Sequence, residues 1–218
     1  VHAVCSKRSA ETTDIQQEVK AMAKIAVVYY SGQGHTERQA KSVALGAEKV
    51  QGTTVSLISV TEVEKHWEEL DAADAIIFGS PTYMGSVSAK FKEFMEATSH
   101  RWFQQMWKDK FAAGFSNSGS QSGDKLNTLV DMVLFAAQHS MHWISLGLLP
   151  GNNSSKGSVN DLNRLGGFIG AMAQSNSDED ASKAPLESDL KTAEHLGQRV
   201  ATVVSSFLDA RSPVLSAH

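Results

Sequence analysis

The stretch Ser31-Gly32-Gln33-Gly34-His35-Thr36 has the composition of an anion cradle. It lies between an apolar run and a helix-periodic segment, where a strand hands over to a helix. Two glycines let the backbone fold so that amide groups converge, and the helix N-terminus adds its positive end. Ser31 and Thr36 supply hydroxyl donors, and no Lys or Arg lies inside the loop. An all-neutral cradle of this kind suits a phosphate monoester. It is not the nucleotide P-loop, which needs Gly-Lys-Ser/Thr, and the dinucleotide fingerprint fails at its third glycine. Thr36 followed by Gln39 also fits a plain capping box at the start of the helix. The two readings are compatible.

Two further stretches have similar chemistry. Gly79-Ser80-Pro81-Thr82-Tyr83-Met84-Gly85 follows an apolar run. Pro81 stiffens it, the flanking glycines free its ends, and Tyr83 offers an aromatic surface. Its amides could face the polar edge of a ring, or it could be an ordinary strand-to-helix turn. Ser116-Asn117-Ser118-Gly119-Ser120-Gln121-Ser122-Gly123 is all small and polar. Such a backbone can lie along a flat ligand, or serve as a flexible link into a helix starting near Asp124. The histidines are scattered and show no metal-ligand spacing. His139 falls at a helix end, where it would contact substrate or cap the last carbonyls. His35 is expected to keep its ring at the surface, and His142 to be structural. Trp107 and Trp143 read as core.

These stretches need elements to hold them. Ile25–Tyr30 is a continuous apolar run, as in a parallel strand buried on both faces. Ala40, Val43, Ala44, Ala47 and Val50 recur at helical spacing, and Gly52 closes that helix. Strands are expected at Thr53–Val60, Ala75–Phe78, Phe111–Phe115 and Trp143–Leu146. Helical pieces are expected at Glu62–Leu70, around Val87–Thr98, over Leu126–Ala137 and over Leu190–Leu208. Five strands alternating with helices imply an α/β fold: a five-stranded parallel sheet with helices on both faces. Ligands of such sheets sit at the carboxyl ends of the strands, which is where the three polar stretches fall.

Composition narrows the partners. With 20 Lys and Arg against 24 Asp and Glu, the net charge is −4 over 218 residues. That provides no basic face for nucleic acid. Apolar runs are strand-sized, short of the ~20 residues of a membrane span. The single cysteine, Cys5, requires no oxidising compartment and is given no role. A cytoplasmic protein is expected. Residues 1–21 read as a disordered extension, with a short helix over Asp14–Ala21 as the alternative and Met22 as the natural start. Residues 22–211 form the domain and 212–218 a tail. The segment from Gly147 to Lys183 is too long for a simple connection. Phe168, Ile169 and Met172 within it suggest contacts in a homodimer or homotetramer.

The three stretches together resemble the flavodoxin superfamily. More closely, 23–210 is similar to the NAD(P)H:quinone oxidoreductases of the WrbA type. The resemblance rests on Lys24–Ser31 with Gly34-His35, on Ile76–Thr82, on Ser116–Gly119, on His139-Ser140-Met141, and on Gly166-Gly167 with Gly170-Ala171. It implies a flavodoxin-like fold that binds FMN. The first loop would hold the phosphate, and the second and third loops the isoalloxazine. NADH or NADPH would be the electron donor and a quinone the acceptor, through two-electron, ping-pong hydride transfer by way of the flavin. Trp102 and His139 match the positions that line the ring's open face. This chain departs from the family at Gln33, where an aromatic is usual, and at Tyr83, where a basic residue is usual. A one-electron carrier or a non-catalytic FMN-binding protein is the alternative.

Overall fold

The computed structural model describes residues 22–211. The expectations for 1–21 and 212–218 lie outside these residues. The elements are β1 (Ala23–Tyr29), α1 (His35–Glu48), β2 (Thr53–Ser59), a 3-10 turn (Val60–Lys65), α2 (Trp67–Ala72), β3 (Ala75–Tyr83), β4 (Ser86–Val87), α3 (Ala89–Ala97), α4 (Ser99–Phe103), β5 (Phe111–Ser118), α5 (Lys125–Gln138), β6 (His142–Trp143), β7 (Ala171–Gln174) and α6 (Glu187–Arg211). The sheet runs β2-β1-β3-β5-β6, all parallel. The parallel sheet is the one expected from the alternation of elements, and its strand order is that of the flavodoxin-like fold that the resemblance implies.

Side chains of β1 alternate between two cores, as the period of a strand requires. Ile25, Val27 and Tyr29 join Ala40, Val43, Leu196 and Val200 beneath α1 and α6. Ala26 and Val28 join Phe78, Phe91, Phe94, Trp107 and Phe135 beneath α3 and α5. Helices α1 and α6 meet backbone to backbone at Gly46 and Gly197. A Cβ on Gly197 would stand 1.8 Å from the Val43 carbonyl oxygen.

Four expected elements are corrected. The fourth strand, expected at Phe111–Phe115, runs on to Ser118, so the first three residues of the third polar stretch are strand. The charged piece after β2 is a 3-10 turn followed by a separate short helix, because the chain breaks at His66. The third strand does not end at Phe78. It continues to Tyr83, paired with β5 as far as Pro81 opposite Asn117, whereas β1 ends opposite Gly79. Pairing with β1 ends at Gly79 and pairing with β4 starts only at Thr82, so Pro81 falls where, among the described residues, β5 is its one ladder partner, a setting in which a proline without an N–H is accommodated. The fifth strand is split. Only His142 and Trp143 form a ladder beside the start of β5, with Ile144 donating to Ala112 at 2.7 Å. The chain then leaves the sheet, and β7 fills the same edge further up, beside Phe115–Ser118. Among the described residues no helix is long and apolar enough to cross a membrane.

Candidate functional site

Because β3 and β5 overrun β1 at their carboxyl ends, they form a ledge above the loop that leaves β1. The cavity there has a volume of about 190 Å³. It is lined by Ser31, Gly32, Gln33, His35 and Thr36 from the first loop, by Pro81, Thr82 and Tyr83 from β3, and by Asn117, Ser118 and Gly119 from β5 and its loop. The three stretches singled out from sequence therefore meet in one cleft.

Its first wall is formed where β1 hands over to α1. Helix α1 begins at His35 behind Gly34, which has φ +86°, and among the described residues no side chain caps it. Its first amides are left for another acceptor. The expected capping box is absent: Thr36 lies inside the helix, and Gln39 donates instead to the Ala171 carbonyl at 3.3 Å. The Ser31 hydroxyl oxygen is shut off from solvent and has no hydrogen-bond partner among the described residues. A buried hydroxyl in that state costs free energy unless a ligand satisfies it. A Cβ on Gly32 would stand 2.6 Å from the Tyr83 hydroxyl, so the tyrosine packs over the glycine backbone. Burial pushes the Tyr83 phenol above its ordinary pKa, which keeps it a neutral hydroxyl.

The other walls are held from behind. Thr82 shares its hydroxyl with Ser116 Oγ and Thr128 Oγ1, both at 2.8 Å, and Ser116 donates to the Ser80 carbonyl. Ser116 is fully buried and braces the wall. Met84 and Gly85, both at positive φ, make the two-residue turn between β3 and β4. Asn127 holds that turn through the Gly85 carbonyl at 2.7 Å, and Asp131 accepts from Ser86 and the Val87 amide. Met84 is fully exposed at the tip. Ser120 and Gln121 do not line the cleft. Their carbonyls accept from Lys125 Nζ at 3.0 and 2.8 Å, which folds the third loop back on α5.

A fourth wall was not anticipated. Ser175 and Ser177, just after β7, close the cleft beside Asn117. Ser175 donates its hydroxyl to Asn117 Oδ1 at 3.0 Å and its amide to the Ser118 carbonyl. Beyond it, His35 Nε2 donates to the Glu179 carbonyl at 2.8 Å, and Arg38 donates to the Ala181 carbonyl. The His35 ring is thus buried, not at the surface as expected. This accounts for part of the long polar segment within one chain. Ile169 and Met172 pack on the chain's own core, and Phe168 alone of the three stays largely exposed.

Trp102 and His139 do not reach this cleft in the same chain. They line a separate hollow of about 400 Å³ between α3, α4 and the end of α5. Helix α5 has 14 residues and runs from the third loop to the opposite end of the sheet, roughly 21 Å at 1.5 Å per residue. His139 is buried against Trp107 and Phe135 and shares a hydrogen bond with Thr98 at 2.9 Å. Burial lowers its pKa to about 4, so it is neutral at pH 7. His142 is exposed at the start of β6, and Trp107 is fully buried as expected.

The chain is similar to known proteins. Residues 24–148 match the family model described as NADPH-dependent FMN reductase. The chain is 46% identical over 183 residues to flavodoxin FldP of Pseudomonas aeruginosa, covering 84% of this chain and 97% of that protein. It is 33% identical to an NAD(P)H dehydrogenase (quinone) of Archaeoglobus fulgidus, covering 85% of this chain and all of that one. The crystal structure of a WrbA-like flavodoxin from Agrobacterium tumefaciens superposes with a TM-score of 0.66 at 43% identity, over 84% of this chain and 98% of that one. A family model spanning more than half of the chain and relatives matched along nearly their whole length lead to one conclusion: this chain belongs to the NADPH-dependent FMN reductase family and is a flavodoxin-like oxidoreductase of the WrbA type.

Proposed function

We propose that the chain is an FMN-dependent NAD(P)H:quinone oxidoreductase. The observation that carries FMN is the first wall, with its uncapped helix start and the buried, partnerless Ser31 hydroxyl. Both are satisfied by a phosphate monoester, and neither has a use in binding a bare ring. Bound FMN supplies the two-electron redox chemistry, and the protein supplies binding, orientation and electrostatics. In net terms, NAD(P)H, a proton and a quinone become NAD(P)⁺ and a hydroquinone, the two electrons moving together as a hydride equivalent.

The chain's own residues have distinct parts in this. Amides at the start of α1 and the hydroxyls of Ser31 and Thr36 hold the phosphate. Pro81, Thr82, Tyr83, Asn117, Ser118 and Gly119 shape the slot for the ring. Ser175 fixes the orientation of the Asn117 amide and closes the far side. Among the described residues that line the cleft, the one imidazole, His35, is tied to the Glu179 carbonyl through Nε2, in keeping with cofactor-borne chemistry. The quinone reductases among the relatives support the substrate assignment. Trp102 and His139 could meet a ring only from a neighbouring copy, so a homodimer or homotetramer is part of this proposal.

The name of the 46% identical relative favours a second reading, an electron-carrying flavodoxin. Steady-state oxidation of NADH and NADPH by the FMN-loaded protein, with and without benzoquinone, separates the two. The reductase gives quinone-dependent turnover with parallel double-reciprocal lines. A carrier gives negligible oxidation until a separate reductase is added, and that result would replace the proposal.

A further inference from the structure

Lys125 is the first residue of α5 and is fully buried. Its ammonium donates to Ser118 Oγ at 2.7 Å and to the carbonyls of Ser120 and Gln121. All three acceptors are neutral, and among the described residues no carboxylate lies within ion-pair distance of it. Among the described residues the charged groups that act on it are Asp189 and Arg164, which bind each other through two contacts at 2.7 and 2.8 Å. Both of these side chains are buried as well. The trio therefore carries one uncompensated positive charge.

That charge sits where two general preferences oppose it. Burial penalises an ammonium, and the positive end of a helix disfavours a cation in the first turn. Burial does lower the Lys125 pKa to about 8, yet this leaves it mostly protonated at pH 7. A methionine of similar length would avoid both costs but would leave the Ser120 and Gln121 carbonyls without their donor. The lysine also sets a positive charge directly behind the wall formed by Asn117, Ser118 and Gly119; the Ser118 hydroxyl accepts from it and donates in turn to the Ser120 carbonyl. With little solvent between, such a charge is weakly screened.

We propose that Lys125 is a positioning residue whose buried charge, set behind the third wall of the cleft, favours the reduced and negatively charged flavin over the oxidised neutral one. This rests on the FMN reading above. Two-electron reduction of a flavin leaves negative charge on the ring unless a proton is taken up, so a fixed cation behind the wall acts on one redox state far more than on the other.

The test titrates apo-protein anaerobically with oxidised FMN and, separately, with dithionite-reduced FMN, for wild type, K125Q, K125M and K125R. In K125Q and K125M, reduced FMN should lose about ten-fold more affinity than oxidised FMN. That ratio corresponds to a fall of about 30 mV in the two-electron midpoint potential. K125R should keep the wild-type ratio. If both redox forms weaken equally in K125Q and K125M, Lys125 only shapes the loop and the proposal is overturned. An unchanged ratio overturns it too. Should arginine not fit the site, the Gln and Met ratios decide. A wild-type chain that takes up FMN in neither form removes the FMN reading itself, and shows this before any variant is compared.

Discussion

Replacing Ser31 by alanine should move two quantities in opposite directions. In the free protein the Ser31 hydroxyl is buried without a partner. Leaving such a group unsatisfied costs ~1–3 kcal/mol, and the alanine variant no longer bears that cost. Taking the low end, the apo-protein gains about 1 kcal/mol, or roughly 2–4 °C in Tm for a chain of this size. With phosphate bound, the wild-type hydroxyl donates to a charged acceptor, an interaction of ~1.5–3 kcal/mol. The variant therefore binds FMN ten-fold or more weakly, since ~1.4 kcal/mol is a factor of ten. Riboflavin, which lacks the phosphate, should bind both proteins alike. Calorimetric melting of the apo-proteins and fluorescence titration with both ligands give all the values. A variant that melts lower and loses FMN and riboflavin in equal measure would refute the assignment, because Ser31 would then be packing and not a phosphate donor.

Other consequences follow from the same geometry. Asp189→Ala leaves Arg164 buried without its carboxylate and frees the Gln174 amide; urea unfolding should show a loss of ~3–5 kcal/mol, and a loss below 1 kcal/mol would contradict the burial of the pair. His139 has its folded pKa lowered to about 4 by burial, so the unfolded chain binds the extra proton between about pH 6.5 and 4. Stability is then full above pH 6.5 and declines by up to about 3 kcal/mol as pH falls to 4. His139→Gln should flatten that decline, and an unchanged pH profile would disprove it. Light scattering of the FMN-loaded protein at micromolar concentration should report a dimer or tetramer, in which Trp102→Ala lowers kcat/KM for quinone; an active monomer would exclude both.

Much of this was legible in the sequence, and the failures have identifiable physical causes. The run Ile25–Tyr30 followed by two glycines and a helical stripe marks β1, α1 and the loop between them. The end of β3 was hidden because Gly79-Ser80-Pro81 has turn chemistry; only pairing with Ser116 and Asn117 makes it a strand. Strand β7 is four residues with two alanines inside a Gly/Asn/Ser-rich stretch, and its conformation is decided by the β5 edge it meets. The buried charges of Arg164 and Lys125 depend on partners brought together by folding, which local patterns do not report. The position of His139 was readable in principle. A helix that follows a strand returns to the opposite end of the sheet, so the end of α5 has to lie far from the carboxyl ends of the strands.

The makeup of the cleft leads to one further expectation. Among the described residues no Lys or Arg lines it, and Arg38 is engaged with the Ala181 carbonyl, Lys41 with Glu37, and Lys125 behind the third loop. Phosphate would be held by amides and hydroxyls whose dipoles act at contact range. Salt screens exposed charges over roughly 10 Å at 0.1 M and less at higher ionic strength, but does little to a buried hydrogen bond. FMN affinity should therefore change by less than about three-fold between 0.05 and 0.5 M NaCl, in contrast to a site built on surface lysines. A fall of ten-fold or more over that range would show that a mobile cation, with Arg38 the first candidate, leaves its carbonyl to grip the phosphate. The neutral cradle would then be only half of the binding site.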